Sequence, residues 1–381
     1  MAVSDLLQKI INVSENKLAT IVSNGTSGDI NKYIDTGCYL LNAQLSGDIY
    51  KGIPINRNTA FVGKESTGKT YAVASIVSNF IKNEQDATVI WFDTENAVSK
   101  DFFENKGVDS SRIAIFPVGC LQEFRTQIVK ILDSLNEEKK VNAMIVLDSL
   151  GMLASSKEIN DAASGEDKQD MTRAKTIRSI FRIISTKLMI HKIPMLITNH
   201  TYETMDMYGE DAIAGGGGLK YAASIICMLS KAQIKESDGT ISGVTLTNKL
   251  IKGRLSKEKT KVKLLLSYSK GLHPYSGLVD IAEQAGIWVK TGNRYNVDDN
   301  KLYEKEIMKN ASTYFNKEVL DKINEYCHTL FDYGANVDDD NIIENEQDED
   351  VIVEEKNNKK KKKEKKNIVE KDEEVESIFN S

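Results

Sequence analysis

The chain has 381 residues, 40% of them hydrophobic and 28% charged, a balance that supports a sizeable core and excludes a wholly disordered or collagen-like protein. Its net charge of −6 is unevenly placed, because residues 337–381 hold 16 acidic and 9 basic side chains and the remainder holds 40 acidic against 41 basic. A neutral body can still carry a basic stripe, so the overall charge does not exclude a nucleic-acid partner.

Residues 3–22 carry Leu6, Leu7, Ile10, Ile11, Leu18, Ile21 and Val22 at helical spacing, with a break around Ser14-Glu15-Asn16. The opening residues lack a basic start and an apolar signal core, and no apolar run approaches the roughly 20 residues that span a bilayer. A cytoplasmic protein with no membrane contact is expected. Ser23-Asn-Gly-Thr-Ser-Gly-Asp29 reads as a connector.

From Thr36 to about Ser276 short β-rich runs alternate with amphipathic helical stretches. Strands are predicted at 59–62, 88–92, 143–147, 195–198 and 224–229. Continuous apolar runs of this kind belong to a sheet covered on both faces, which predicts an α/β domain with a mainly parallel sheet. Beyond Gly286, Trp288, Tyr295, Tyr314 and Phe315, with a helix near 318–331, indicate a small second domain. Residues 338–355 hold ten acidic side chains and no basic one, and Lys359–Lys363 is a lysine block. Such blocks bury too little apolar surface to fold, so a disordered tail is expected. The four cysteines, Cys38, Cys120, Cys227 and Cys327, are too far apart to clamp zinc or form a redox dithiol, and read as reduced thiols.

Gly63-Lys-Glu-Ser-Thr-Gly-Lys-Thr70 fits the phosphate-loop pattern between a strand and a helix at 71–83. Its glycines let backbone N–H groups close on phosphate, with Glu65, Ser66, Thr67 and Gly68 lining the loop. Lys69 is expected at the β and γ phosphates and Thr70 at Mg²⁺. Asp148 closes an apolar strand, where a carboxylate supports Mg²⁺ and its waters. Glu95 closes the strand at 88–92, where it can activate the attacking water. The helix after the polar segment 151–170 carries Arg173, Lys175, Arg178 and Arg182, a basic face suited to phosphate-backbone contact. Residues 200–219 bring Tyr202, Met207 and Tyr208 together with four consecutive glycines, the composition of a mobile loop whose rings can stack on bases.

These residues resemble the RecA family of strand-exchange recombinases, and within it the UvsX recombinases of T-even-like phages. The stretches that carry the likeness are Asp148-Ser-Leu-Gly-Met-Leu-Ala-Ser-Ser-Lys157, Asp170-Met-Thr-Arg-Ala-Lys-Thr176, Asn199-His-Thr-Tyr-Glu-Thr204 and Pro274-Tyr-Ser-Gly-Leu278. The likeness covers about residues 1–335, and Tyr202 departs from it where bacterial relatives place an arginine. It implies four divisions: an oligomerisation segment and linker at 1–33, a RecA-type ATPase core at 34–277 with DNA-binding loops near 151–172 and 201–219, a small C-terminal α/β domain at 278–335, and the tail at 336–381. It implies Glu95 as catalytic glutamate, Phe102 against adenine, and His200 as the γ-phosphate sensor that opens the second DNA loop. Lys252 and Arg254 would reach into the neighbour's nucleotide, and the opening helix would lie on the adjacent subunit, giving an open helical filament. The implied function is ATP-dependent, Mg²⁺-requiring pairing and strand exchange between single-stranded and homologous double-stranded DNA, in recombination, repair and recombination-dependent replication. Loading mediators and single-stranded-DNA-binding proteins are the implied partners. A RecA-fold hexameric helicase and a nucleotide-switched DNA-coating protein with incidental ATP turnover are the alternatives.

Overall fold

Successive strand residues point to opposite faces of a sheet, and here both faces are apolar. Phe61, Val89, Trp91, Val146 and Leu196 enter one buried cluster, while their neighbours Ala60, Val62, Phe92, Ile145, Leu147 and Ile197 enter another. A sheet of this pattern is stable only between two helical layers. The computed structural model describes residues 3–16, 18–26, 28–135, 142–165, 170, 172–202, 212–215, 217–235, 241–268, 270–298 and 300–333. All belong to the unit Met1–Tyr333, whereas the unit Gly334–Ser381, with the acidic stretch and lysine block, lies outside the described residues.

In chain order the elements are α1 (Val3–Val13), β1 (Tyr33–Ile34), α2 (Tyr39–Ser46), β2 (Ile53–Pro54), β3 (Asn58–Gly63), α3 (Lys69–Asn83), β4 (Thr88–Asp93), α4 (Lys100–Glu104), β5 (Ile113–Pro117) and α5 (Leu121–Leu135). Then follow β6 (Ala143–Asp148), α6 (Ser156–Ala163), α7 (Arg173–His191), β7 (Met195–Tyr202), β8 (Ala212–Ile213), α8 (Gly217–Ala222), β9 (Ile225–Lys235), β10 (Ile241–Gly253), β11 (Lys261–Ser267) and β12 (Gly271–Leu272). The chain closes with α9 (Leu278–Gln284), β13 (Val289–Thr291), β14 (Arg294–Val297), β15 (Asn300–Tyr303), α10 (Glu304–Lys309), α11 (Ala311–Tyr314) and α12 (Lys317–Phe331).

The main sheet runs β12-β11-β10-β9-β3-β7-β6-β4-β5, with β8 paired to β7. The six strands from β9 to β5 are parallel, and β10 to β12 add an antiparallel wing. This is the expected α/β class with a mainly parallel sheet, and the five predicted strands are present. The wing and β5 were not read as strands. β11 alternates Lys261 and Lys263 outward with Val262 and Leu264 inward, so its lysines disguise a half-buried strand as a basic stretch. β5 is an edge strand with little buried surface. Residues 151–170, expected to be an irregular loop, contain α6. Its start is a capping box in which Ser155 and Glu158 satisfy each other's backbone N–H groups, a Ser-x-x-Glu signal legible in the sequence.

The apolar residues after Leu278 belong to the same cluster as Leu40, Leu41 and Leu45 of α2. Phe315 is 2% exposed, stacked on Tyr275 at 5.4 Å and tilted against Trp288 at 4.8 Å. Phe315→Ala is therefore expected to cost about 3–5 kcal/mol and to lower the urea midpoint of the whole unit. A loss confined to a separate early transition would contradict this shared core. Among the described residues no helix is long and apolar enough to cross a membrane.

Candidate nucleotide site and basic edge

The phosphate loop leaves the carboxyl end of β3, which lies between β9 and β7 in the sheet, and feeds directly into α3. Two backbone positions in the loop take left-handed conformations, Ser66 with φ 56° and Gly68 with φ +95°. Gly63 is required for another reason. A Cβ there would stand 2.5 Å from the carbonyl of Leu229 on β9. Thr67 Oγ1 ties the loop by donating to Lys64 O at 2.9 Å. Lys69 is buried, and its ammonium donates to the carbonyls of Gly63 at 3.1 Å and Lys64 at 2.9 Å. Burial pushes its pKa down, against the opposing pull of Glu95 and Asp148. A dehydrated ammonium held by carbonyl dipoles is ready for a stronger anionic partner.

The loop forms one wall of a cleft of about 620 Å³ that also receives Glu95, Phe102, Asp148 and His200. Glu65, Ser66, Thr67, Gly68, Lys69 and Thr70 all line it, so the structure gathers these sequence-predicted residues in one place. Asp148 ends β6 and is 3% exposed. Its Oδ1 accepts a hydrogen bond from Thr198, and its Oδ2 has no partner. Burial raises its pKa, and interactions with Thr198 and Thr70 oppose that rise. A buried carboxylate oxygen without a donor, beside a threonine hydroxyl at the mouth of a phosphate loop, fits a hard divalent cation with oxygen ligands. Thr70 and Asp148 are the residues that would hold Mg²⁺.

Glu95 is positioned by a seam between the ends of β4 and β6. Thr94 N donates to Asp148 O at 2.8 Å, Thr94 Oγ1 exchanges bonds with Ser149, and Asp93 Oδ1 accepts from Glu95 N at 3.1 Å. The Glu95 carboxylate takes a bond from Ser149 Oγ at 2.7 Å and meets His200 Nε2 at 3.0 Å. Burial opposes its charge, but the bonds from Ser149 and His200, with the charges of His200 and Lys69, hold its pKa below the ordinary 4.5. A depressed carboxylate stays basic further into acid, and its stabilising contribution is present above the unfolded pKa and lost as pH falls through the folded one. With Glu95 as the base expected from the sequence, the acid limb of kcat/KM for ATP hydrolysis would lie below the usual glutamate range, and Ser149→Ala would move it upward. An unmoved limb would remove Ser149 from this role.

His200 stands near the end of β7, paired in register with Gly63 at the start of the phosphate loop. Two residues later β7 ends, and β8 returns antiparallel with Thr201 opposite Ile213. Ala214 N donates to His200 O at 2.9 Å, and buried Asn199 donates to Ala214 O at 2.8 Å. The β7–β8 pairing thus joins this cleft to the predicted second loop. Tyr202 is 59% exposed at its root, while Met207 and Tyr208 lie outside the described residues.

Sequence reasoning missed four residues that line or brace this cleft. Tyr71 packs edge-on to Phe102 at 5.3 Å and to Tyr268 at 5.6 Å, so Phe102 belongs to an aromatic wall. Lys106 Nζ lies 3.9 Å from the Phe102 ring centre and 4.7 Å from that of Tyr71. Lys231, on β9, donates to Ser66 O and lines the cleft. The one signal for Tyr71 was its place immediately after the phosphate-loop threonine.

The predicted basic residues separate. Arg173 is occupied with its own fold, donating to the carbonyls of Gly151 at 2.9 Å and Leu153 at 3.0 Å. Lys175, Arg178 and Arg182 are exposed along α7. Arg178 and Arg182 share a second cleft with Arg254, distinct from the nucleotide cleft. Lys252 Nζ donates to Lys220 O at 2.6 Å, and its pKa is lowered by burial and then by Arg254. The sheet register fixes where this pair lies. Lys252 and Gly253 pair with Ile226 and Ile225 of β9, which pair with Ala60 and Thr59 of β3. Gly63 is three residues beyond Ala60 and four beyond Thr59 along β3, roughly 10–13 Å at strand spacing. Lys252 and Arg254 therefore sit toward the opposite edge of the sheet from the phosphate loop of their own chain.

A mainly parallel sheet with a phosphate loop at the carboxyl end of β3, and carboxylates at the carboxyl ends of β4 and β6, is the layout of a phosphate-loop nucleotide-binding domain. A family model described as the RecA N-terminal domain matches residues 7–273. The chain is 32% identical over 290 residues to the "Recombination and repair protein" of Enterobacteria phage T4, covering 76% of this chain and 73% of that one. It is 24% identical over 297 residues to "Protein RecA" of Malacoplasma penetrans, covering 77% of this chain and 86% of the relative. With the "DNA repair protein recA homolog 3, mitochondrial" of Arabidopsis thaliana it shares 22% identity over 279 residues, 72% of this chain and 62% of that one. The chain belongs to the RecA family of recombinases.

Proposed function

We propose that this recombinase acts in DNA recombination and repair as a DNA-dependent ATPase, forming a helical filament on single-stranded DNA and exchanging strands with a homologous duplex. Recombination-dependent replication would draw on the same reaction, served by loading mediators and single-stranded-DNA-binding proteins, in the cytoplasm of the cell or phage host. The divisions at 1–33, 34–277, 278–335 and 336–381 belong to this reading. The observation that carries it is the separation of the phosphate loop from Lys252 and Arg254 to opposite edges of one sheet. A chain built this way completes its site only with a second copy placed head to tail, and repetition of that contact gives an open polymer. The exposed apolar side chains Leu6, Leu7, Ile10 and Val13 of α1 suit the same contact.

In this reading Gly63, Glu65, Ser66, Thr67 and Gly68 wrap the phosphates, and Lys69 exchanges the carbonyls of Gly63 and Lys64 for phosphate oxygens. Phe102 faces the base. Bound Mg²⁺ would supply positive charge against the transferring phosphoryl group, with Thr70 and Asp148 as its holders. Glu95 takes the proton of the attacking water, oriented by Ser149. Lys252 and Arg254 of the neighbour offset charge on the same phosphoryl group. His200 turns from Glu95 to the γ-phosphate, and because His200 lies on the hairpin strand, that motion reaches the segment between β7 and β8. Lys175, Arg178, Arg182, Tyr202, Met207 and Tyr208 are the proposed DNA contacts, with Arg173 holding the first loop.

ATPase activity with and without single-stranded DNA at two salt concentrations tests the proposal. Stimulation by DNA that weakens as salt rises is expected, since phosphate contacts release counterions. No stimulation at either concentration would count against recombination.

A further inference from the structure

Tyr71, Phe102 and Tyr268 give the nucleotide cleft an aromatic side, and Lys106, which touches two of these rings, is not among the residues that line it. Adjacent residues on a helix point about 100° apart, and α4 uses the difference. Phe103 is 1% exposed and packs edge-on against Trp91 at 5.4 Å, which leaves half-buried Phe102 to the cleft. Ser99 Oγ accepts from Phe102 N at 3.1 Å and caps this short helix. Lys106 follows Phe102 by four residues, the spacing that brings two side chains onto one helical face. Its ammonium lies 3.9 Å from the Phe102 ring centre and 4.7 Å from that of Tyr71, and it donates to Phe102 O at 3.2 Å. Burial lowers its pKa. The nearby carboxylate of Glu104 is engaged elsewhere, with Lys100 at 3.6 Å and Ser110 at 3.0 Å. Two rings and one carbonyl therefore hold this cation.

We infer that Lys106 determines specificity for the base of the nucleotide, as a positioning residue that acts through Phe102. The inference rests on the reading above that Phe102 faces the base, and adds the group that sets how strongly it does so. An aromatic face carries negative charge density, and so does the face of a purine, so two bare faces repel where they stack squarely. A cation over one side of the Phe102 ring draws that density toward itself. The part of the ring left to the cleft then accepts an electron-rich base more readily. The same contact fixes the ring. Held by Lys106 and packed edge-on with Tyr71 at 5.3 Å and Phe103 at 5.2 Å, Phe102 has little rotamer freedom left to lose on binding. The gain from stacking grows with the stacked area, which ranks purines above pyrimidines. The phosphate end is held separately, by the bonds from Lys69 to the Gly63 and Lys64 carbonyls. Removing the Lys106 charge should therefore weaken recognition of the base and leave recognition of the phosphates alone.

Full-length Lys106→Met and Lys106→Arg are compared with the parent in two measurements. One is displacement of a fluorescent ATP analogue from the dilute chain by ATP, by UTP and by inorganic tripolyphosphate, which carries no base. The other is kcat for ATP on single-stranded DNA. Methionine keeps the length of the stem and removes the charge, whereas arginine keeps the charge. Lys106→Met should weaken ATP about two- to fivefold, the scale of one cation–π contact, with kcat unchanged. UTP should weaken less, and tripolyphosphate should not move. Lys106→Arg should restore the parental preference for ATP. Unchanged ATP affinity in Lys106→Met overturns the inference. An equal loss for ATP and tripolyphosphate also overturns it, because the effect would then lie in the phosphate loop. So does a loss in Lys106→Arg equal to that in Lys106→Met, since the charge would not be its cause. Phe102→Leu separates the inference from the reading beneath it. In that background Lys106→Met should have no further effect on ATP, because the lysine acts through the ring. If Phe102→Leu weakens ATP selectively and Lys106→Met does not, this inference alone fails. If Phe102→Leu leaves the preference for ATP over UTP intact, the base-facing reading of Phe102 fails and the inference fails with it.

Discussion

Replacing Glu95 by Gln should reduce ATP hydrolysis by about 10²–10⁴-fold while leaving triphosphate affinity nearly unchanged, the loss associated with removing a positioned general base. Glutamine keeps the shape of the side chain and an oxygen for the bond from Ser149 Oγ, now 2.7 Å from the carboxylate. It removes the charge that His200 faces at 3.0 Å. The phosphate loop does not depend on Glu95 for its geometry, since Lys69 is held by Gly63 and Lys64 carbonyls. Binding and turnover should therefore separate in this variant. Pre-steady-state hydrolysis beside equilibrium nucleotide binding checks it, and a variant that still turns over at near-parental rate would remove Glu95 from the mechanism.

Removing Lys252 and Arg254 together should cost about 10³-fold or more in DNA-stimulated hydrolysis, the scale of a charge supplied to a transferring phosphoryl group by a partner. Binding of nucleotide to the dilute chain should survive, because neither side chain lines the nucleotide cleft of its own chain. The burial that lowers the Lys252 pKa means that the free chain bears a cost that a facing anion relieves. Titrating the double variant with nucleotide at low protein concentration, and then assaying it on DNA, separates the two effects. Equal loss of both would place the pair in folding instead.

The parallel strands were legible because each is a continuous apolar run whose alternate residues feed two cores, and the phosphate loop because its chemistry demands glycines at fixed spacing. The antiparallel wing was obscured by outward lysines such as Lys261 and Lys263, which read as a charge run until Val262 and Leu264 are seen between them. Lys69, Glu95, Asp148 and His200 could be named from strand ends and family likeness, but their common cleft depends on pairing between segments over a hundred residues apart, such as Glu95 with His200. The aromatic wall around Phe102 was hidden for the same reason, since Tyr268 comes from the far wing of the sheet. Arg173 was legible as part of a basic face, but not that its guanidinium also bonds the turn that begins at Leu150.

The claim that one triphosphate is completed by two copies is tested most directly by mixing Glu95→Gln chains with chains lacking Lys252 and Arg254 side-chain charge. Each is inactive by itself, but random neighbours reunite an intact Glu95 with an intact basic pair at about a quarter of the contacts. The account predicts that equimolar mixtures on single-stranded DNA recover hydrolysis at roughly that fraction of the parental rate. A mixture no more active than its separate components would contradict it.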